Sequence, residues 1–145
     1  MAAVTFSDWW RGALLALWTF LLAPGAGADE HAELRAAVDR TTAQYQLALQ
    51  VLETSGREQT TVEVEQLREA WHAVTDQFAS SAPAPYANDD QYAATFMEID
   101  ARIVGALLVI GIGSREAARD ALLSIGEMLA EFKKKSELEL RPPSP

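Results

Sequence analysis

Residues 64–78, VEQLREAWHAVTDQF, carry the pattern that decides the fold. Apolar side chains recur there at alternating steps of three and four residues: Val64, Leu67, Trp71, Val74 and Phe78. This spacing places them on one narrow stripe of an α-helix, as in helices that pack inside a bundle. We predict that the helix begins at Thr60 or Thr61, with Thr60 and Glu63 forming a capping box, and that the prolines of residues 80–85 end it.

Three further segments carry stripes of the same kind and are separated by turn residues. One covers about residues 30–54 and ends at Ser55-Gly56, where we expect Gly56 to adopt the left-handed conformation of a helix cap. Another begins near Asp89-Asp90 and ends at the Gly111–Gly113 turn, and the last begins at a Ser114 cap. The stripes are Leu34, Val38, Thr41, Tyr45, Ala48 and Leu52; Tyr92, Phe96, Ile99, Ile103, Leu107 and Ile110; and Ala118, Leu122, Ile125, Leu129 and Phe132.

Four helices of about twenty residues, joined by two short turns and one longer loop, predict an all-α, antiparallel up-down-up-down four-helix bundle. We assign residues 29–136 to this domain and residues 137–145 to a disordered C-terminal tail. Tyr86, in the proline-rich loop, is predicted to be exposed. The run Ile103–Ile112 is almost entirely apolar, which favours a homodimer formed through helix faces.

Residues 1–28 have the layout of a secretory signal peptide. Arg11 precedes an apolar run over residues 12–22, and Ala26-Gly27-Ala28 supplies a small-x-small cleavage pattern. We predict cleavage after Ala28, export to the periplasm and no membrane attachment afterwards. The alternative is an uncleaved anchor, but the run is about twelve residues long where a bilayer needs about twenty.

Charge and cysteine content exclude several classes of function. The formal net charge of −9 disfavours nucleic acid and anionic lipid, and it suits a metal ion or a cationic envelope protein as partner. The chain has no cysteine, which excludes disulfides, thiolate zinc sites, iron–sulfur clusters and covalent haem. We find no nucleophilic triad, nucleophile elbow or phosphate loop, so we predict that the protein is not an enzyme.

The last two predicted helices resemble the cytochrome c′ family, with an aromatic and an acidic residue early in the third helix and a short turn before the fourth. Where that family carries Gly-x-x-Cys-x-x-Cys-His, residues 126–133 read GEMLAEFK. Leu129 and Phe132 therefore occupy the two cysteine positions, and Lys133 occupies the position of the axial histidine. The resemblance implies an exported four-helix bundle, and these three residues imply that it carries no covalent haem.

The segment Asp29-Glu30-His31 is the sharpest candidate site. Cleavage after Ala28 would free the amine of Asp29 and place a histidine third from the amino terminus. That amine, the amides of Glu30 and His31 and one imidazole nitrogen can surround Cu(II) or Ni(II) in a square plane. We therefore predict a copper site at the mature amino terminus, against the alternative that His31 is there by chance.

Glu69 and His72 form a second metal candidate, since their spacing places a carboxylate and an imidazole on one helical face, as in di-metal bundles. The motif occurs once, so a solvated charged flank is the alternative. A b-type haem and electron transfer remain an alternative function, with Met97, Met128 and the two histidines as axial ligands, although we place neither histidine on a stripe. The preferred function is non-catalytic binding, and the third hypothesis is a purely structural interaction module of the cell envelope.

Overall fold

The computed structural model describes the backbone of residues 26–139 and the side chains of residues 29–135, Pro85 excepted. Four α-helices make up most of this range: α1 (Ala26–Thr54), α2 (Arg57–Phe78), α3 (Tyr92–Ile112) and α4 (Arg115–Glu139). One 3₁₀ turn, Ala84–Tyr86, lies between α2 and α3, and no strand occurs among the described residues. The prediction of an all-α four-helix bundle is confirmed.

The predicted domain limits fall inside helices. Helix α1 begins at Ala26, within the predicted cleavage pattern, and α4 continues to Glu139, three residues into the predicted tail. Residues 1–25 of the predicted leader and residues 140–145 of the tail lie outside the described residues.

The helices form a ring in which α1 contacts α2 and α4, and α3 also contacts α2 and α4. Contacts between α2 and α3 join the start of one helix to the end of the other. Arg57 donates a hydrogen bond to the Gly111 carbonyl, and the Tyr92 hydroxyl donates one to the Phe78 carbonyl. Because the start of each helix pairs with the end of the other, α2 and α3 run antiparallel.

Every residue of the α2 and α4 stripes is buried, as their spacing predicts. In α3, Leu107 is partly buried and the other five stripe residues are buried, and all six stripe residues of α1 are buried. The largest fully buried side chain is Trp71 of α2, with 0 % of its surface exposed. Hydrocarbon and aromatic side chains therefore form one continuous core between the helices.

Two predictions about the connection between α1 and α2 are wrong. Helix α2 begins at Arg57 rather than at Thr60, and Thr60 lies inside it, donating its hydroxyl to the Gly56 carbonyl over 3.1 Å. Gly56 has φ −83° and ψ 172°, an extended conformation that precedes α2 and not a left-handed cap of α1. The two helices are joined by Ser55 and Gly56 alone, so no residues are left for a separate capping box.

The third helix also begins later than predicted, at Tyr92. The Asp89 carboxylate accepts a hydrogen bond from the Gln91 amide over 3.0 Å and pairs with Lys135 of α4 over 2.5 Å, so Asp89 shapes the loop before the helix. The Ser114 cap is confirmed, because its hydroxyl accepts a hydrogen bond from the Ala117 amide over 3.1 Å.

Candidate functional site at the aromatic end of the bundle

Five aromatic rings from three helices and the 3₁₀ turn meet at the end of the bundle where α2 stops and α3 begins. We call this cluster the aromatic end; its members are Trp71, Tyr86, Tyr92, Phe96 and Phe132. Trp71 stacks on Phe96 with ring centroids 5.1 Å apart, and Tyr86 stacks on Phe132 at the same centroid distance. Such pairs contribute about 0.5–1.5 kcal/mol each beyond the burial of their surface.

The prediction that Tyr86 is exposed is wrong, since 2 % of its surface is accessible. The proline-rich loop folds back over the bundle, and the Tyr86 hydroxyl donates a hydrogen bond to the Phe132 carbonyl over 3.0 Å. A polar tip that finds a backbone acceptor allows the large ring to be buried at little cost.

The other polar tips of the cluster are satisfied in the same way. The Trp71 indole donates to the Phe96 carbonyl over 3.0 Å, and the Tyr92 hydroxyl donates to the Phe78 carbonyl over 2.9 Å. Burial, and then the neighbouring Tyr86, raise the pKa of Tyr92 well above its ordinary value. The Tyr92 phenol therefore acts here as a neutral hydrogen-bond donor.

His31 lies against this cluster, but its buried polar atom, unlike those of the cluster, has no hydrogen-bond partner. Its side chain is 7 % exposed, and its ring centroid is 6.5 Å from that of Tyr86. The Nε2 atom of His31 is buried without a hydrogen-bond partner, which is true of no other buried side-chain polar atom in the described part of the chain. A cleft of about 10 Å³ lies beside the ring, between α1, Tyr86 and α4.

Burial, and then the charge of Arg35, lower the pKa of His31 below its ordinary value. The imidazole is therefore neutral near pH 7, the form in which histidine binds a metal. The expectation that no histidine lies on a stripe is wrong for His31. It lies three residues before Leu34 and seven before Val38, on the same helical face, so the spacing already indicated that His31 is buried.

The second metal candidate lies on the surface of α2 and α3. The Nε2 atom of His72 is 2.8 Å from an Asp100 carboxylate oxygen, and Arg68 donates to that same oxygen over 3.2 Å. Burial would raise the pKa of Asp100, but the bonds from Arg68 and His72 outweigh it and hold that pKa below its ordinary value. Glu69 is exposed, and the partner of His72 is Asp100, a residue that the sequence spacing did not indicate.

Among the residues that the structure describes, no group of three or more acidic, histidine or cysteine side chains is placed to hold a metal ion. Met97 is 74 % exposed, whereas Met128 packs against the edge of the core. Of the three residues on which the predicted resemblance to cytochromes c′ bears, Leu129 and Phe132 are buried and Lys133 forms an ion pair with Asp39 over 2.6 Å.

Comparisons of the chain with protein-family models, with curated proteins and with solved structures find no match.

Proposed function

We propose that this protein is an exported, non-catalytic binding protein that holds Cu(II) at the amino terminus created by cleavage after Ala28. Four nitrogen atoms form the site: the amine of Asp29, the amides of Glu30 and His31, and one imidazole nitrogen of His31. Nitrogen ligands in a square plane suit Cu(II). The observation that carries the proposal is the buried His31 imidazole, whose Nε2 atom has no partner.

The unpaired nitrogen makes release of His31 from the core less costly. An unsatisfied buried polar atom costs about 1–3 kcal/mol, and that cost disappears when the imidazole reaches water or a metal. The small cleft beside the ring and the exposed residues on both sides of it in α1 leave a path to solvent. Copper binding and packing of His31 against Tyr86 are then alternative states of the first turn of α1.

The helix start supports the same proposal through the backbone. In a helix that begins at Ala26, the amides of Glu30 and His31 are bonded to the carbonyls four residues earlier, those of Ala26 and Gly27. Cleavage after Ala28 removes both acceptors and leaves the two amides in the unsatisfied first turn of the shortened helix. These are the two amides that the copper site needs.

The proposal predicts a pH dependence as well. The Asp29 amine and the two amides must release their protons to solvent when Cu(II) binds, so the affinity rises with pH. The acidic chain, with its net charge of −9, attracts the cation before it binds. The same charge suits a cationic envelope protein, to which a copper-bearing accessory protein would deliver or present the metal.

The test uses the secreted protein, with its amino terminus located by intact mass. We expect one Cu(II) per chain by calorimetric titration, with tight binding lost in His31→Ala and in the uncleaved chain. The matched control is His72→Ala, which removes the other histidine and leaves copper binding unchanged. Binding by His31→Ala as tight as that of the parent protein would refute the site, and so would a mature terminus at another residue.

A second candidate function is a structural interaction module, and the outward face of α3 favours it. Met97, Leu108 and Ile112 are 74 %, 64 % and 88 % exposed on that helix. None of the described helices is both long and apolar enough to cross a membrane. An apolar helix face on an otherwise charged domain is typical of a surface that binds another protein.

A further inference from the structure

We propose that two copies of this chain associate through the outward face of α3, packed antiparallel about a two-fold axis between Val104 and Gly105. The face comprises Met97, Ala101, Val104, Gly105, Leu108 and Ile112, which we call the α3 face. Its occupant is a second copy of the same chain. This inference is independent of copper binding.

The α3 face is continuous and carries no charge. Its residues recur at steps of three and four, with Val104 and Gly105 adjacent at its centre, so they lie along one side of the helix for about 22 Å. Three large side chains on it, Met97, Leu108 and Ile112, are more than half exposed. Residues 103–113 contain no charged side chain at all. A single exposed apolar residue needs no explanation, but a row along a whole helix does.

The face is complementary to itself in the antiparallel direction. A two-fold axis between Val104 and Gly105 places Ala101 of one copy opposite Leu108 of the other, and Val104 opposite Gly105. Met97 then meets Ile112 at both ends. Large side chains oppose small ones next to the axis, which is the pattern that lets two helices approach closely. A Cβ atom built on Gly105 meets nothing within 4 Å in one copy, so the space above this glycine is open to a partner.

Charge selects the antiparallel direction. Helix α3 has three charged residues, and each is paired within its own copy: Glu98 with Arg102, and Asp100 with Arg68 and His72. In the proposed register, Glu98, Asp100 and Arg102 lie opposite residues 111, 109 and 107 of the other copy, in that order, and none of those three is charged. A parallel pair would instead place Glu98 beside Glu98 and Asp100 beside Asp100, and like charges across an interface are unfavourable.

The small size of the face favours a weak association. Specific stable interfaces bury about 1,200–2,000 Å² in total, and a single pair of helices of this length lies at or below the lower end. We therefore expect a dissociation constant in the micromolar range, roughly 1–100 μM, and an equilibrium between monomer and dimer.

Sedimentation of the full chain across that concentration range tests the proposal. Leu108→Glu should weaken the dimer at least about tenfold, because it buries a charge against Ala101 of the other copy. Leu47→Glu is the matched control, since Leu47 is 43 % exposed on α1 and away from the face; it should leave the association unchanged. A chain that stays monomeric up to about 1 mM would overturn the proposal, as would an equal effect of the two substitutions.

Two further variants test the register. Gly105→Leu fills open space in one copy but blocks the crossing point, so it should abolish the dimer without lowering the thermal stability of the monomer. Because the chain has no cysteine, Ala101→Cys and Leu108→Cys can report on pairing. Mixed under oxidation, the two variants should crosslink to each other, since a disulfide needs Cα atoms about 4.4–6.8 Å apart. Rapid crosslinking of Ala101→Cys to itself, or a dimer in Gly105→Leu as strong as the parent, would refute the antiparallel register.

Discussion

Gly126 of α4 allows the Tyr45 ring of α1 to pack directly on the α4 backbone, and replacing it with alanine tests this close approach. A Cβ atom at position 126 would lie 2.5 Å from Cζ and 2.8 Å from Cε1 of Tyr45. These separations are far inside van der Waals contact, and Tyr45 is 8 % exposed, so the ring has little room to move away.

The expected change is the sum of two opposing effects. Replacing glycine by alanine inside a helix stabilises it by about 0.5–1 kcal/mol, because less backbone freedom is lost on folding. Overpacking a buried site costs about 1–3 kcal/mol, and here the obstacle is a rigid ring. We therefore expect Gly126→Ala to lower the free energy of unfolding by about 1–2 kcal/mol.

Gly105→Ala is the matched control, because it is the same substitution inside another long helix with nothing within 4 Å of the new Cβ. It should raise the free energy of unfolding by about 0.5–1 kcal/mol. Both are measured by urea denaturation followed by circular dichroism, at protein concentrations below those at which the chain dimerises. Tyr45→Leu combined with Gly126→Ala should recover part of the loss, since it removes the atoms that clash.

Changes of opposite sign in the free energy of unfolding for Gly126→Ala and Gly105→Ala would support the close packing of Tyr45 on α4. Equal stabilisation at both positions would refute it, because Tyr45 would then not approach the α4 backbone closely enough to exclude a methyl group. Failure of Tyr45→Leu to couple with Gly126→Ala would lead to the same conclusion, since residues in contact show non-additive effects.

Two further predictions concern charge. Burial lowers the pKa of His31 below 6.5, so the unfolded chain binds a proton there more readily, and stability should decline as the pH falls below about 6.5. In urea titrations at pH 7.5 and 5.5, His31→Leu should remove this decline. The same loss of unfolding free energy between the two pH values in His31→Leu and in the parent protein would contradict a buried neutral imidazole. Asp89→Ala should lower the free energy of unfolding by about 1–2 kcal/mol, and Asp39→Ala by about 0.5 kcal/mol. The reason is burial, since the Asp89 side chain is 12 % exposed and that of Asp39 is 47 % exposed. Equal losses in thermal melts would show that the hydrogen bond from the Gln91 amide to Asp89 contributes nothing.

Helix positions and buried faces were predictable because they depend on neighbours three and four residues apart. Val64, Leu67 and Trp71 are buried because helical geometry brings such positions to one side, whatever the rest of the chain does. The Ser114 cap is equally local, since its partner is the Ala117 amide. Helix starts were harder, because Gly56 and Asp89 each have several local conformations available to them and packing selects among these.

The contents of the sites depend on residues far apart in the chain. Tyr86 is buried because its hydroxyl reaches the Phe132 carbonyl, 46 residues away, and His72 pairs with Asp100, 28 residues away. No pattern within one helix specifies which side chain of another helix will lie opposite it. His31 combines both cases, since its spacing marks the buried face while its unpaired Nε2 follows from what α4 and the loop place beside it. Helical periodicity depends on residues close together in the sequence, whereas hydrogen-bond partners between helices depend on how whole helices pack against one another.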